Sequence, residues 1–276
     1  MPFVAVLLAV LLATPALAAG PEDEVAPLQE TTGAGLFTVG NTLFAVLHEL
    51  AHGLIAELDL PILGNEETAA DSIAALLMIP SEPNPFRRRL ILAATRGWAT
   101  SADIADDADA QKSGASEFWD IHVRDIDRYR ATLCLLVGSD TRAGRALAAR
   151  IGMNESDVDL CRTAYANADE AFERLTAPFR RRKGAGGGRI EVVYDDDPAF
   201  QAERGLMRRA GSVRRAIADL TARIALPNDL TVHFTACDGG INAWWDPDTR
   251  TVEVCYELVA YYEDLAPFDE TAGGEE

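Results

Sequence analysis

The stretch that most constrains this chain is residues 43–58, where Leu43, Phe44, Val46, Leu47, Leu50, Leu54, Ile55 and Leu58 make a helix that is apolar nearly all round. Such a helix belongs inside a protein. Yet His48, Glu49 and His52 stand within it, and burying three ionisable side chains is costly without compensation. Residues four apart lie about 40° apart around a helix axis, so both imidazoles can reach one divalent cation while Glu49 projects beside it without ligating. A cation would supply the compensation, and Glu49 stands where a base acting on metal-activated water belongs.

Two histidines do not complete a catalytic zinc site, which takes three protein ligands and keeps one position for water. Pro61 and Gly64 break the chain after the first helix, and Asn65 caps a second one running through Ile79, with Glu66 and Glu67 in its first turn. Asp71 follows Glu67 by one turn on the same face, so Glu67 can ligate while Asp71 fixes an imidazole. Glu66 suits the helix dipole, although spacing alone leaves it open as the ligand. Ala69, Ala70, Ala74 and Ala75 let the two helices approach closely.

His48-Glu49-Leu50-Ala51-His52 is an HExxH motif, and with Glu67-Thr68-Ala69-Ala70-Asp71 it resembles the gluzincins, the thermolysin and neprilysin group of metallopeptidases. The second segment is similar to the neprilysin form, ExxAD. The resemblance implies a zincin-like fold, Zn2+ held by His48, His52 and Glu67, Glu49 as general base, Asp71 behind a ligating imidazole, and a peptide or protein substrate. The segment from Asp120 to Arg128 resembles the DxHxxxxxR stretch of neprilysin-like enzymes, with Val123-Arg124 in place of the usual Ser-Pro. It implies that His122 stabilises the oxyanion and that Arg128 holds a substrate carbonyl on the primed side; a capped helix start with ion-paired Asp125, Asp127 and Arg128 is the plainer reading. Asn242-Ala243-Trp244-Trp245-Asp246-Pro247 resembles the edge strand along which gluzincins align substrate, implying contacts from the Asn242 side chain and the Ala243 carbonyl. In those enzymes it precedes HExxH, whereas here it follows every other motif, a cyclic permutation. A hairpin turning at Asp246-Pro247-Asp248-Thr249, with its tryptophans on the core, needs no function. Residues 44–259 as a set also resemble an uncharacterised family of bacterial metallopeptidases with HELxH and EExAAD-like helices and a C-terminal NAxWDP…CYEL hairpin.

Residues 1–18 carry no charge, run apolar from 3 to 12 and end in Ala16-Leu17-Ala18, the pattern of a secretory signal peptide. The expected location is periplasmic or secreted, without stable membrane insertion after cleavage. An uncleaved anchor is the alternative, although the run is shorter than the roughly 20 residues a bilayer needs. Four cysteines in an exported chain suggest two disulfides, with sequence neighbours the favoured pairing: Cys134 with Cys161 tying two helices, Cys237 with Cys255 clamping a hairpin. A net charge of −19 disfavours nucleic acid and anionic membranes as partners.

The expected fold is α+β: a helical core over residues 19–182, a glycine-rich linker at 183–189, and an α/β segment at 190–276 that completes a small antiparallel or mixed sheet within the same catalytic unit. A strand is expected at 36–39, with Gly40-Asn41-Thr42 capping the HExxH helix, followed by helices at 87–104, 124–137, 142–151 and 157–175. Strands are expected at 190–194, 230–236, 241–245 and 251–255, with a helix at 198–224. His233 alternates with Val232 and Phe234 and reads as structural. The function these features favour is an exported zinc peptidase. A non-catalytic zincin-fold binding or scaffold protein of the envelope is the alternative, and zinc-dependent hydrolysis of a non-peptide bond, such as a cell-wall amide, a third.

Overall fold

The apolar stripe around His48 becomes helix α1 (Gly33–Glu57), buried on nearly every side. The structure is a computed structural model that describes residues 33–79, 84–109, 124–139, 143–182, 184 and 186–266; segment 1–18, expected as a signal peptide, lies outside them. Helix α1 is long and apolar enough to cross a membrane. Its surface, however, is covered by α2 (Glu66–Met78), α3 (Pro85–Asp109), α9 (Tyr256–Leu265) and strand β3 (Ala243–Asp246), which makes its apolar residues core.

Residues 36–39 are not a strand but a turn of α1. Thr38 Oγ1 donates to Ala34 O (3.1 Å) and Asn41 Nδ2 to Phe37 O (2.8 Å), so neither the strand nor the cap at Gly40-Asn41-Thr42 is formed. Period alone cannot separate a short apolar strand from a buried helical turn. Gly40 serves close packing instead, since a Cβ there would come 2.5 Å from Leu90 O on α3. Across the same interface Asn41 Nδ2 donates to Ala93 O (3.2 Å), and a Cβ on Gly97 would fall 1.7 Å from Asn41 Oδ1.

Asn65 caps α2 by accepting the Glu67 N–H (2.8 Å), which aims the first turn of α2 at α1. Helices α4 (Asp125–Ser139), α5 (Ala143–Arg150) and α6 (Glu155–Thr176) follow. The Cys134–Cys161 disulfide joins α4 to α6.

Beyond residue 189 come β1 (Ile190–Tyr194), α7 (Gln201–Ala210), α8 (Ser212–Arg223), β2 (Leu230–Thr235), β3, β4 (Thr251–Cys255) and α9. The sheet order is β1-β2-β4-β3, with the first three strands parallel and β3 antiparallel on β4. The helix expected at 198–224 breaks at Gly211, whose φ of 57° ends α7 in a left-handed cap that only glycine adopts freely. The third expected strand begins at Ala243 rather than Ile241, and α9, which the sequence reading did not anticipate, starts directly where β4 ends. A second disulfide, Cys237–Cys255, ties the loop after β2 to that junction. Gly188, at the end of the glycine-rich segment, donates its N–H to Leu226 O (2.7 Å), and a Cβ there would meet Asn228 O at 1.8 Å, so close approach rather than flexibility explains it.

Val232, Phe234, Val252 and Val254 on one face of the sheet belong to the same core as Leu50 and Leu54 of α1, Met207 of α7 and Val213 of α8. His233 points to the other face, between Asp195 and Glu253. The result is a mostly helical α+β architecture with a small mixed sheet, in which β3 runs beside the HExxH helix.

Candidate metal centre and cleft

On α1, His48 and His52 project toward the start of α2 and meet Glu67. His48 Nε2 lies 3.3 Å from His52 Nε2 and 3.1 Å from Glu67 Oε2, and His52 Nε2 lies 3.6 Å from Glu67 Oε1. Ligands about 2.0–2.1 Å from a tetrahedral zinc are about 3.3–3.4 Å apart, so this triangle fits such an ion. Two imidazole nitrogens facing each other beside a carboxylate are also a set that a cation satisfies better than hydrogen bonds do. His48, His52 and Glu67 could therefore hold a metal ion. Cys237, Cys255 and Glu257 have comparable spacing, but the two sulfurs are already joined and Glu257 accepts the N–H groups of Cys237 and Gly239.

Each imidazole has a carboxylate on its far nitrogen. Asp71 Oδ1 is 2.8 Å from His48 Nδ1, and Glu66 Oε1 is 2.8 Å from His52 Nδ1. Glu66 and Glu67 thus stand on opposite sides of His52, with only Glu67 in the triangle. Burial opposes the charge on Asp71, but hydrogen bonds from His48 and Arg128 outweigh it and hold the carboxyl below its ordinary range. Arg128 grips Asp71 with two bonds, Nε to Oδ2 (2.8 Å) and Nη2 to Oδ1 (2.5 Å), while its guanidinium stacks 3.8 Å from the Trp98 ring. Arg128, expected to hold substrate, gives two of its three nitrogens to Asp71.

Glu49 stands beside the triangle, its Oε1 4.0 Å from His48 Nε2. Its Oε2 accepts the backbone N–H of Trp245 (3.0 Å), a contact across 196 residues that fixes β3 against α1. Burial pushes the Glu49 carboxyl above its ordinary value, against the pull of His48, His52 and the Trp245 N–H.

A cleft of about 350 Å³ opens over these groups, lined on its other wall by Asn242, Ala243 and Trp244, with Trp98 and Tyr262 at its sides. The Cys255 N–H donates to Asn242 O (3.0 Å), and strand pairing alternates from there, so Asn242 and Trp244 face β4. Ala243 and Trp245 therefore turn their N–H and C=O groups to the open edge. His122 lies outside the described residues. Sequence reasoning missed Trp98, Tyr262 and the Trp245 amide; Leu258, Val259 and Tyr262 do repeat at helical spacing, which could have revealed α9. Burial pushes the Tyr262 hydroxyl up to about 12, so it stays a donor.

The chain matches the model of a family described as "Putative metallopeptidase" over residues 24–176 and 194–275, which includes the HExxH helix, α2, α4 and the β2–β3–β4–α9 unit. No curated protein and no solved structure matches it. A peptidase family implies a peptide or protein substrate, and the two segments take in most of the sequence: the chain belongs to this metallopeptidase family.

Proposed function

We propose that the protein is an exported, zinc-dependent peptidase of gluzincin type with a zincin-like catalytic unit, in which the glycine-rich 183–189 segment joins two parts of one machine. What supports the reading is the convergence of His48 Nε2, His52 Nε2 and Glu67 within 3.6 Å of one another, with Glu49 beside them and the outward amides of β3 across the cleft.

His48, His52 and Glu67 would hold the ion. When bound, zinc lowers the pKa of water toward neutrality and polarises a carbonyl. Glu49 takes the proton of the attacking water and returns it to the leaving amine. The Trp245 N–H keeps Oε2 occupied and leaves Oε1 for the water. Asp71 and Glu66 fix the tautomers of His48 and His52, so that each Nε2 presents a lone pair. Substrate lies extended along β3, paired to the free groups of Ala243 and held by the Asn242 side chain. Arg128, anchored on Asp71, keeps Nη1 for a carbonyl on the primed side, and the role of His122 is oxyanion stabilisation. Trp98, Trp244 and Tyr262 give the cleft an aromatic lining.

Incubation of purified protein with a peptide library, alongside Glu49→Gln, tests this. The expected outcome is cleavage by the wild type, lowered at least about a hundredfold by the substitution with metal content unchanged. Equal background rates in two metal-loaded proteins would refute catalysis and favour a binding module.

A further inference from the structure

We propose that the open edge of β1 is a self-association surface, where a second copy of this chain adds its own β1 antiparallel and makes one sheet across two subunits. Sheet order leaves β1 at the edge opposite β3. The Leu230 N–H donates to Arg189 O (2.8 Å) and the Asp195 N–H to Phe234 O (2.9 Å), so the odd-numbered residues of this segment bond to β2. Ile190, Val192 and Tyr194 consequently point their N–H and C=O groups outward. Proteins usually blunt such an edge with lysine, proline, a bulge or a covering element. Among the described residues β1 has none of these, and its only charge, Glu191, lies on the same sheet face as His233.

The charge pattern along the segment identifies the occupant. Arg189 stands directly before the strand and Asp195-Asp196-Asp197 directly after it. A segment that is basic at its start and acidic at its end complements itself when two copies run antiparallel. Only the outward residues can exchange ladder bonds across this edge, so an even-numbered residue pairs with an even-numbered one. Centring the pair on Val192 meets both conditions: Val192 meets Val192 of the other copy, Ile190 meets Tyr194, and Arg189 stands opposite Asp195 on each side of the two-fold axis. Arg189 and Asp195 share the His233 face, because β1 places Val193 beside His233. The contact that Arg189 makes within its own chain, to Asp229 at 3.3 Å, is exposed and costs little to exchange.

On the opposite face the strand adjoins a groove of about 770 Å³, whose floor is Ile190 and Val192 with Ile217 and Ala218 of α8. In this register Ile190 and Val192 of the added copy point to the same face and cover that floor, where Ala218 and Ala222 leave room for them. Arg181 and Arg214 stand at the rim, with stems long enough to keep their charged heads in water. The metal cleft lies by the β3 edge and stays open in both copies.

Sedimentation equilibrium of the full chain over a concentration series tests this. A reversible dimer is expected, weakened about tenfold or more by Arg189→Asp and by Val192→Pro, which removes an outward N–H from each copy without costing a ladder bond within the subunit. Metal content should be unchanged in both variants. Cross-linking reads the register. With oxidised glutathione, Val192→Cys should couple to itself, since the two positions meet at a Cα separation of about 5.5 Å, within the span of a disulfide. Val193→Cys, offset from its own copy by two residues, should stay uncoupled. A chain that remains monomeric throughout, a dimer indifferent to both Arg189→Asp and Val192→Pro, or equal coupling of the two cysteine variants would overturn the proposal. So would a dimer that forms only after removal of residues 267–276, because that tail would then be the occupant of the edge.

Discussion

At the residue scale, the site pairs each imidazole with its own carboxylate, and the two pairs differ in exposure. Asp71 is nearly buried and clamped by Arg128, whereas Glu66 is half-exposed. In the proposed site Asp71→Asn should lower zinc affinity about 10–100-fold and Glu66→Gln by less, read by competition with a chromophoric chelator. A second cluster gives a pH signature. Burial opposes protonation of His233, but Asp195 and Glu253 outweigh it and hold its pKa above 6.5, while hydrogen bonds from His233 and Thr235 hold Asp195 below 3.8. A raised histidine stabilises the fold fully below 6.5 and loses that contribution as pH rises through its folded value. A depressed aspartate contributes above 3.8 and loses it as pH falls. Replacing His233 with Gln should therefore lower Tm more at about pH 5.5 than at about pH 8.5, with an effect at or below about 1 kcal/mol for these partly exposed groups. Equal shifts at both pH values would contradict this. His48, Glu49, His52, Glu67 and Asp71 were all legible as candidates because helical spacing places them. The Trp245 amide and Trp98 were not, since only a strand's register and a distant helix bring them there.

At the element scale, α1 is held by close approach. Gly97 and Gly40 leave room for Asn41 and Leu90 O, so Gly97→Ala should cost about 1–3 kcal/mol, measured by denaturant unfolding, although alanine is the better helix former. A stabilised variant would show that the α1–α3 contact has been misread. Long amphipathic elements such as α6, expected at 157–175 and found at Glu155–Thr176, were legible from their period. Short ones were not. Phe37, Thr38 and Val39 are all buried, which erases the difference between strand and helix, and Gly211 breaks a helix whose apolar pattern continues across it from Met207 to Val213.

At the scale of the whole molecule, segments far apart in sequence meet at the cleft. Strand β3 pairs with β4 and reaches α1 through the Trp245–Glu49 bond, so the last motif in sequence forms a wall of the cleft that the first one floors. Linear order could not reveal this, because the shared core joins residues from Val39 to Val259. The central claim, that this cleft is built around one zinc ion, is tested most directly by the metal content of purified protein, determined by mass spectrometry. The account predicts about one zinc per folded chain, retained by Glu49→Gln and lost on changing His48 or Glu67 to Ala. Folded wild-type protein that takes up no zinc would contradict it.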